Sequence, residues 1–247
     1  MVIRKLSLIE GAKQARGLTV IIDVFRAISV ENYLFSWGIE KVIAVGDLNR
    51  ARELKAIHSD YILIGERHGV KCEGFDFGNS PSQIMGADLT GKTVVHTTSA
   101  GTQGIANAVH ADEIIVGSLV NAAAVAAYIR KKNPEVVSLV AMGNMGTRDA
   151  KEDLLCADYI ESLLTGNSID MEARVKNLKT DGGEHFFDPA KASVFPSEDF
   201  YMSTKWDRFP YVLGVTPNVA SGDSSFEKPG EAVIRIIAEY PETTREW

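Results

Sequence analysis

The chain has 247 residues, of which 45% are hydrophobic and 24% are charged, and its formal net charge is −7. This composition is typical of a globular protein with a substantial core. No run of five or six like charges occurs, which argues against a nucleic-acid partner and against binding to an anionic membrane. An anionic ligand must therefore be held by a local group of residues.

The N-terminus, the apolar runs and the cysteines together predict a cytoplasmic protein. The first residues run into polar sequence by Glu10, which is unlike a signal peptide, and no apolar stretch approaches the length of a membrane span. Cys72 and Cys156 are far apart and lack CxxC spacing, which argues against a zinc site or a disulfide framework.

Short β-branched runs alternate with helical patterns along the chain. The predicted strands are 18–23, 41–46, 61–65, 93–98, 113–117 and 136–142, with an ambiguous one at 232–238. This alternation is typical of right-handed βαβ units, so we predict an α/β fold with a mainly parallel sheet flanked by helices. In such a sheet the loops after the strands emerge on one edge, where ligands bind.

Helix signals lie between these strands. Ser29 is expected to cap a helix that Gly38 ends, and Asp47 to cap the next one. Further helices are predicted at 122–132, 149–164 and 170–179, whereas 180–197 is expected to be irregular. We place a division near residue 120, which gives α/β subdomains 1–120 and 121–247.

The first polar cluster follows the strand 18–23. Asp23 ends this strand, and Arg26 lies three residues on, just before a helix. The carboxylate could ligate a cation or act as a nucleophile, and the guanidinium could clamp an anion beside the N–H groups of the helix start. The alternative is a capping carboxylate paired with its own arginine.

The second cluster is the stretch 65–81, which is longer than ordinary connections. Phe75 and Phe77 can pin it onto the body of the protein. Its charges of both signs, including Glu66 and Arg67, suit a site that binds a metal and a phosphate. The alternative is a solvated surface loop.

The third cluster, 96–104, is rich in hydroxyls and glycine and leads from a strand into a helix. Hydroxyls and backbone N–H groups at a helix start can cradle a phosphate without a full charge. The lysine of a Walker A loop is missing. A simple Ser/Thr cap is the alternative.

The fourth cluster follows the strand 136–142. Asp149 and either Glu152 or Asp153 are spaced so that a helix would point two carboxylates at one ion. On spacing alone, the alternative of acids that favour a helix N-terminus is preferred.

The histidines are weaker signals. His68 and His96 lie inside clusters and could act as general acids. His58, His110 and His185 are interpreted as surface or satisfied polar positions.

Several of these stretches together resemble the 2-phosphosulfolactate phosphatase family. They are the DVFRA sequence at 23–27, the long stretch 65–81 with GFDFGNSP at 74–81, and the turn 97–102. The long stretch is the most specific. Ser118 and the Glu152–Asp153 pair also fall where the family has similar residues, so the likeness covers about residues 18 to 162.

The resemblance implies a magnesium-dependent hydrolase that converts 2-phosphosulfolactate to 3-sulfolactate and phosphate, a step of coenzyme M biosynthesis. It also implies two subdomains that flank the site. The candidate ligands of Mg²⁺ are Asp23, Glu66, Asp76 and Asp153, and the candidate catalytic residues are Asp23, Arg26 and Arg67. The candidate contacts to the phosphate or substrate are Lys71, Asn79, Ser80, Thr98, Ser99, Gly101, Thr102 and Ser118.

Three positions depart from the family pattern. Gln103 stands where the family has an arginine, and Ala100 lengthens the turn by one residue. Ile28 replaces a small, often hydroxylated residue. On this basis Gln103→Arg is expected to raise selectivity for a sulfonate, since a planar cation recognises an oxyanion better than a neutral amide does.

We therefore expect a phosphatase that acts on a small anionic phosphate ester, and we leave a homo-oligomer open. Mg²⁺ would polarise the phosphoryl group while Arg26 and Arg67 stabilise its charge. Either Asp23 or a metal-activated water could attack. Two alternatives remain: a phosphatase for a different phosphorylated hydroxy acid, and a non-enzymatic module that binds a phosphorylated metabolite.

Overall fold

The computed structural model describes residues 1–217 and 231–246. Its strands are β1 (Val2–Ser7), β2 (Gly17–Ile22), β3 (Lys41–Val45), β4 (Ile62–Arg67), β5 (Val70–Lys71), β6 (Thr93–Thr97), β7 (Ala111–Gly117), β8 (Val136–Ala141), β9 (Tyr211–Pro217) and β10 (Glu231–Glu239). Its α-helices are α1 (Leu8–Gln14), α2 (Ala27–Ser36), α3 (Leu48–Ile57), α4 (Pro81–Ile84), α5 (Gly101–Asn107), α6 (Ala122–Lys132), α7 (Lys151–Thr165), α8 (Met171–Leu178) and α9 (Ser197–Thr204).

These strands form one sheet in the order β1-β8-β2-β7-β9-β10-β3-β6-β4-β5. One parallel block contains β1, β8, β2 and β7, and a second contains β3, β6 and β4. Antiparallel pairings of β9 and β10 join the two blocks, and β5 is an antiparallel edge strand. The predicted α/β fold with a mainly parallel sheet is confirmed.

The two blocks run in opposite senses across the sheet, because three antiparallel pairings separate β7 from β3. The prediction that one parallel edge collects all the loops is therefore wrong. Neighbouring strands are rotated by about 20–25°, so the five steps from β2 to β6 accumulate about 100–125°. A twist of this usual size offsets much of the reversal, and residues that follow β2 and β8 of one block and β4 and β6 of the other do line one cleft.

Helices α2 and α5 share one hydrophobic core cluster with strands of both blocks. Ile21 of β2 and Val94 of β6 belong to one core cluster together with Leu34 of α2. Gly104 lets α5 approach β2 closely, since a Cβ there would lie 2.8 Å from Ile21 Cγ2 and 2.5 Å from Met142 Sδ. The start of α5 is thereby held against the end of β2.

The helix predictions are largely confirmed, with a correction at α2. Asp47 caps α3 as predicted and accepts the N–H groups of Asn49 and Arg50 at 2.6 and 3.1 Å. Ser29 is not a cap, because α2 already begins at Ala27 and the Ser29 hydroxyl donates to the Val24 carbonyl at 2.7 Å. Within 180–197, short 3-10 turns at Glu184–Phe187 and Pro189–Lys191 interrupt the irregular chain, and α9 begins at Ser197.

The division near residue 120 and the homo-oligomer stay predictions. β7 and β8 lie on either side of residue 120 in the chain, and both pair with β2. In the part of the chain that the structure describes, no helix is both long enough and apolar enough to span a membrane.

Candidate active site

A cleft of ≈ 630 Å³ opens where β2, β4, β6 and β8 end. This volume is within the usual range for small-molecule sites. The predicted site residues that line it are Asp23, Arg26, Glu66, Asn79, Thr98, Ser99 and Asp153. His68, a possible general acid, and Asp149 and Glu152, candidate carboxylates for one ion, line it as well. The other residues proposed as metal ligands, catalytic groups or phosphate contacts lie outside the lining.

Asp23 lies between the first residues of two helices. Its Oδ1 accepts the N–H of Ala27, which begins α2, at 3.1 Å. Within the described residues no hydrogen bond reaches Oδ2, which lies 3.1 Å from the position that a Cβ on Gly101, the first residue of α5, would take. Burial, together with the nearby carboxylates of Glu66 and Glu31, raises the pKa of Asp23 to about 7 against the lowering effect of the Ala27 N–H.

Two further buried carboxylates come from the start of α7. Asp153 accepts the N–H of Val24 at 2.7 Å and that of Gly143 at 2.8 Å, so it ties together the loops after β2 and β8. Burial and then Asp23 raise the pKa of Asp153. Burial and then the repulsion of Asp23 raise the pKa of Glu152 to about 7. The three carboxylates therefore disfavour one another's ionised forms.

This donor set fits a hard cation held by few protein ligands. In residues 1–217 and 231–246, no three Asp, Glu, His or Cys side chains form a ready-made metal cage. Mg²⁺ is commonly bound through one or two carboxylates, with waters and substrate phosphate completing its octahedron. Asp23, whose Oδ2 accepts no hydrogen bond from the residues that the structure describes, and the neighbouring Glu152 can supply that pair.

Arg26 is held in place by a carboxylate that lies far from it in the sequence but contacts it directly. Its Nη1 donates to Asp199 Oδ2 at 2.6 Å and to the Val194 carbonyl at 2.9 Å, and the guanidinium lies 4.8 Å from the ring centroid of Phe195. Both side chains of the ion pair are buried. The alternative in which Arg26 pairs with Asp23 is therefore wrong, although Asp23 does cap α2.

Glu66 joins the loops after β4 and β6. Its Oε2 accepts the N–H of Gly69 at 2.6 Å, and its Oε1 accepts the N–H of Ser99 at 2.9 Å. The Thr98 hydroxyl accepts the N–H of Thr102 at 3.3 Å, which is the Ser/Thr cap considered from the sequence. A phosphate cradle at Thr98 and Ser99 stays a prediction, and the Ser99 N–H is already engaged.

Arg67 and Asp76 lie outside the lining of the cleft. Arg67 donates to the Gly46 carbonyl at 3.0 Å and to the Thr97 hydroxyl at 2.9 Å. It points away because neighbouring residues of a strand face opposite sides, and Glu66 faces the cleft. Asp76 is exposed and accepts the N–H of Leu63 at 2.8 Å, near the start of β4 and away from the strand end where the cleft opens.

Other predicted contacts are also outside the lining. Lys71 is exposed on the edge strand β5. The Ser80 hydroxyl donates to Asp199 Oδ1 at 3.0 Å, and the buried Ser118 hydroxyl lies 2.7 Å from that of Ser29. Thr102 Oγ1 donates to the Thr98 carbonyl at 3.0 Å, so it completes the turn into α5. Gly101 begins α5 and packs on Asp23 rather than lining the cleft.

His96 and Asn79 form a buried polar chain beside the cleft. The imidazole of His96 is fully enclosed, with Nδ1 at 2.9 Å from Glu31 Oε1 and Nε2 at 3.2 Å from Asn79 Oδ1. Only Asn79 of the three lines the cleft. The position of His96 therefore argues against the predicted role as a general acid.

The cleft also contains residues that sequence reasoning missed or interpreted differently. His185, interpreted as a surface or satisfied position, lines it, and burial followed by Arg26 lowers its pKa. Arg148, Lys151, Lys191 and Phe195 line it as well. Gln103 is absent from the lining, and its Nε2 lies 3.0 Å from the position of a Cβ on Gly46.

Comparison with known proteins identifies the family to which this chain is related. The model of the family described as 2-phosphosulpholactate phosphatase matches residues 4–183. A probable 2-phosphosulfolactate phosphatase of Bacillus subtilis (strain 168) is 32% identical over 192 residues, which are 76% of this chain and 82% of that protein. A probable 2-phosphosulfolactate phosphatase of Caldicellulosiruptor saccharolyticus is 39% identical over 156 residues, which are 62% of this chain and 64% of the relative.

The matched stretch is longer than the 18–162 expected from the motifs. It contains Asp23, Arg26, Glu66, Glu152 and Asp153, and it ends before Asp199 on α9. Because the family model matches well over half of the chain and these cleft residues lie inside the match, the chain belongs to the 2-phosphosulfolactate phosphatase family.

Proposed function

We propose that this phosphatase hydrolyses 2-phosphosulfolactate to 3-sulfolactate and phosphate with Mg²⁺ in the cleft. The observation that carries the proposal is the position of Asp23. This buried carboxylate lies at the meeting point of α2 and α5, its Oδ2 is free of hydrogen bonds within the described residues, and Arg26 follows three residues later. The family membership and the names of the relatives support the substrate.

Asp23 and Glu152 would hold the metal ion, with Asp153 beside them. A bound Mg²⁺ would draw charge from the phosphoryl oxygens. Glu66 is a weaker candidate ligand because both of its oxygens accept backbone N–H groups. Asp76 is too far from the strand end at which the cleft opens to be part of this proposal.

Arg26 would bind the phosphoryl group. Val194 and Asp199 take both protons of Nη1, and Nη2 makes one weak contact with the Gly69 carbonyl at 3.4 Å. The Nε proton and one Nη2 proton are left for the substrate. Over the whole hydrolysis, the oxygen of water bonds to phosphorus, the ester P–O bond breaks, and a proton passes to the leaving alkoxide oxygen, which becomes the hydroxyl of 3-sulfolactate.

A substrate panel tests the proposal. Phosphate release from 2-phosphosulfolactate, 2-phospholactate, 2-phosphoglycerate and p-nitrophenyl phosphate would be measured with Mg²⁺ and with EDTA, using Asp23→Asn as the inactive control. We expect the highest kcat/KM for 2-phosphosulfolactate, and only with Mg²⁺. A preference for 2-phosphoglycerate would favour the alternative of a different phosphorylated hydroxy acid, and binding without turnover would favour the non-enzymatic module.

The proposal includes a setting for the reaction. The product, 3-sulfolactate, would enter coenzyme M biosynthesis, as the family resemblance implies. We place the reaction in the cytoplasm, where two unpaired, buried cysteines would remain reduced.

A further inference from the structure

The loop after β8 forms a short hairpin that is fixed at several points. The N–H of Asn144 donates to the Arg148 carbonyl at 2.7 Å, and the N–H of Arg148 donates back to the Asn144 carbonyl at 3.2 Å. Asp153 accepts the N–H of Gly143 at 2.8 Å, and the Gly146 carbonyl accepts the N–H of Ile9 at 3.2 Å. The backbone that carries Arg148 at the margin of the cleft is therefore well anchored.

Arg148 differs from the other basic side chains of the cleft in its ion pairing. Arg26 pairs with Asp199 at 2.6 Å, Lys191 pairs with Asp188 at 3.4 Å, and Lys151 pairs with Asp181. In the part of the chain that the structure describes, Arg148 lines the cleft, is exposed and has no ion-pair partner. Among the arginines and lysines of this lining, Arg148 is the one whose charge is not paired with a carboxylate of the described residues.

The side chain that the sequence suggested for oxyanion selectivity does not reach the cleft. Gln103 lies beside Gly46 and is absent from the lining. Arg148 has the chemistry that Gln103 lacks, since a planar guanidinium fork binds a carboxylate or a tetrahedral oxyanion through two N–H groups. The cleft thus offers separate guanidinium groups, one held by Asp199 and one free.

We propose that Arg148 binds the second anionic group of the substrate, a sulfonate or carboxylate on its carbon skeleton, and so selects phosphate esters that bear such a group. The inference rests on the proposed function, because it takes Arg26 as the phosphoryl contact. It assigns to Arg148 a role in specificity and none in bond breaking.

Four substrates separate the two oxyanions. They are 2-phosphosulfolactate, 2-phospholactate without the sulfonate, 2-sulfoethyl phosphate without the carboxylate, and ethyl phosphate with neither group. Arg148→Ala should lower kcat/KM about ten- to hundredfold for the substrates that carry the recognised oxyanion, the range expected for a charge-assisted hydrogen bond. The constant for ethyl phosphate should stay unchanged. Whichever single-oxyanion substrate loses activity identifies the group.

Two further variants serve as controls for Arg148→Ala. Arg174→Ala removes an exposed arginine from α8, outside the lining, and should leave all four constants unchanged. Arg148→Lys keeps the charge without the fork and should recover only part of the selectivity. An equal loss on ethyl phosphate, or no loss on any substrate, would overturn the proposal.

A binding measurement keeps this test independent of the proposed reaction. The dissociation constants of 3-sulfolactate and lactate would be measured by calorimetry for the wild type and for Arg148→Ala. We expect the recognised product to bind the variant about ten- to hundredfold more weakly. If the wild type fails to hydrolyse 2-phosphosulfolactate yet shows this difference, the proposed function fails and the role of Arg148 stands. Equal affinities in both proteins would refute that role.

Discussion

Arg26 and Asp199 form a buried ion pair of 2.6 Å across 173 positions of the chain. The second oxygen of Asp199 accepts the Ser80 hydroxyl and the Ser82 N–H, both at 3.0 Å. One carboxylate on α9 therefore fixes the loop after β2 and the start of α4. The orientation of Arg26 in the cleft depends on a helix that contributes no predicted site residue.

Asp199→Ala should reduce both stability and activity. Removing one partner of a buried ion pair leaves the other charge uncompensated and typically costs about 3–5 kcal/mol. Urea unfolding measures the free energy, with the exposed neighbour Glu198→Ala as control. Asp199→Asn retains hydrogen-bonding capacity and should lose less stability. A loss below about 1 kcal/mol for Asp199→Ala, within the surface range, would contradict the structural role of the pair.

Arg26→Lys should lower kcat/KM about a hundred- to thousandfold, the usual cost of one well-placed transition-state contact. Lysine keeps the charge but cannot bond Val194, Asp199 and the phosphoryl group in one plane. Steady-state kinetics on 2-phosphosulfolactate measures the effect. A value within about threefold of wild type, which is less than 1 kcal/mol, would remove Arg26 from the reacting centre.

Metal binding should distinguish the candidate carboxylates. EDTA should abolish turnover, and Asp23→Asn and Glu152→Gln should each weaken Mg²⁺ binding in calorimetry, because each removes a hard oxygen ligand. Asp76→Asn is the control, since Asp76 binds the Leu63 N–H outside the cleft. Full activity in EDTA, or weaker Mg²⁺ binding in the Asp76 variant, would argue against the site proposed here.

The metal-free protein should lose stability as the pH rises from about 4 to about 7. The folded-state pKa values of Asp23 and Glu152 are raised to about 7. In this interval the unfolded chain releases both protons while the folded chain keeps them, so the free energy of unfolding falls. Below it both states are protonated, and above it the loss is complete.

Urea unfolding at pH 5 and pH 8 in EDTA measures this dependence. Asp23→Asn should reduce the fall between the two values, because asparagine has no proton to release. Saturating Mg²⁺ should also reduce it, since the cation favours the ionised carboxylates. An identical fall in the wild type and in Asp23→Asn would show that other groups cause it.

His96→Ala should destabilise the fold without removing a limb from the pH–rate profile. Glu31 and Asn79 would each lose a buried partner, which costs about 1–3 kcal/mol for each unsatisfied group. His96→Gln, which can bond both neighbours, should recover part of the stability. Loss of one limb of the profile in both variants would restore His96 as a general acid.

Local patterns account for the part of the fold that sequence predicted. The buried runs that became β2 and β8 and the cap at Asp47 have short-range signals. β1 was missed because it is a half-exposed edge strand, and β9 contains both Gly214 and Pro217. The direction of the block β3, β6 and β4 relative to the other block is set by the antiparallel pairings of β9 and β10. These pairings join distant parts of the chain, so no local pattern could indicate that direction.

The same limit applies to the site. Asp23 and Asp153 follow strand ends, and the structure brings both to the cleft. His185 lies within the irregular region 180–197, and Asp199 lies just beyond it. Asp199 contacts Arg26 and His185 contacts Phe25, and both contacts join residues far apart in the sequence. One error was avoidable: alternation along β4 allows only one of Glu66 and Arg67 to face the cleft.

The strand order also constrains how the chain is made. β9 and β10 are synthesised after the strands of both blocks, yet they lie in the middle of the sheet. Until they leave the ribosome, the nascent chain has two separate blocks whose β7 and β3 edges lack their final partners. Unpaired strand edges are sites of aggregation, so a translating chain must keep these edges covered until β9 and β10 have emerged and paired.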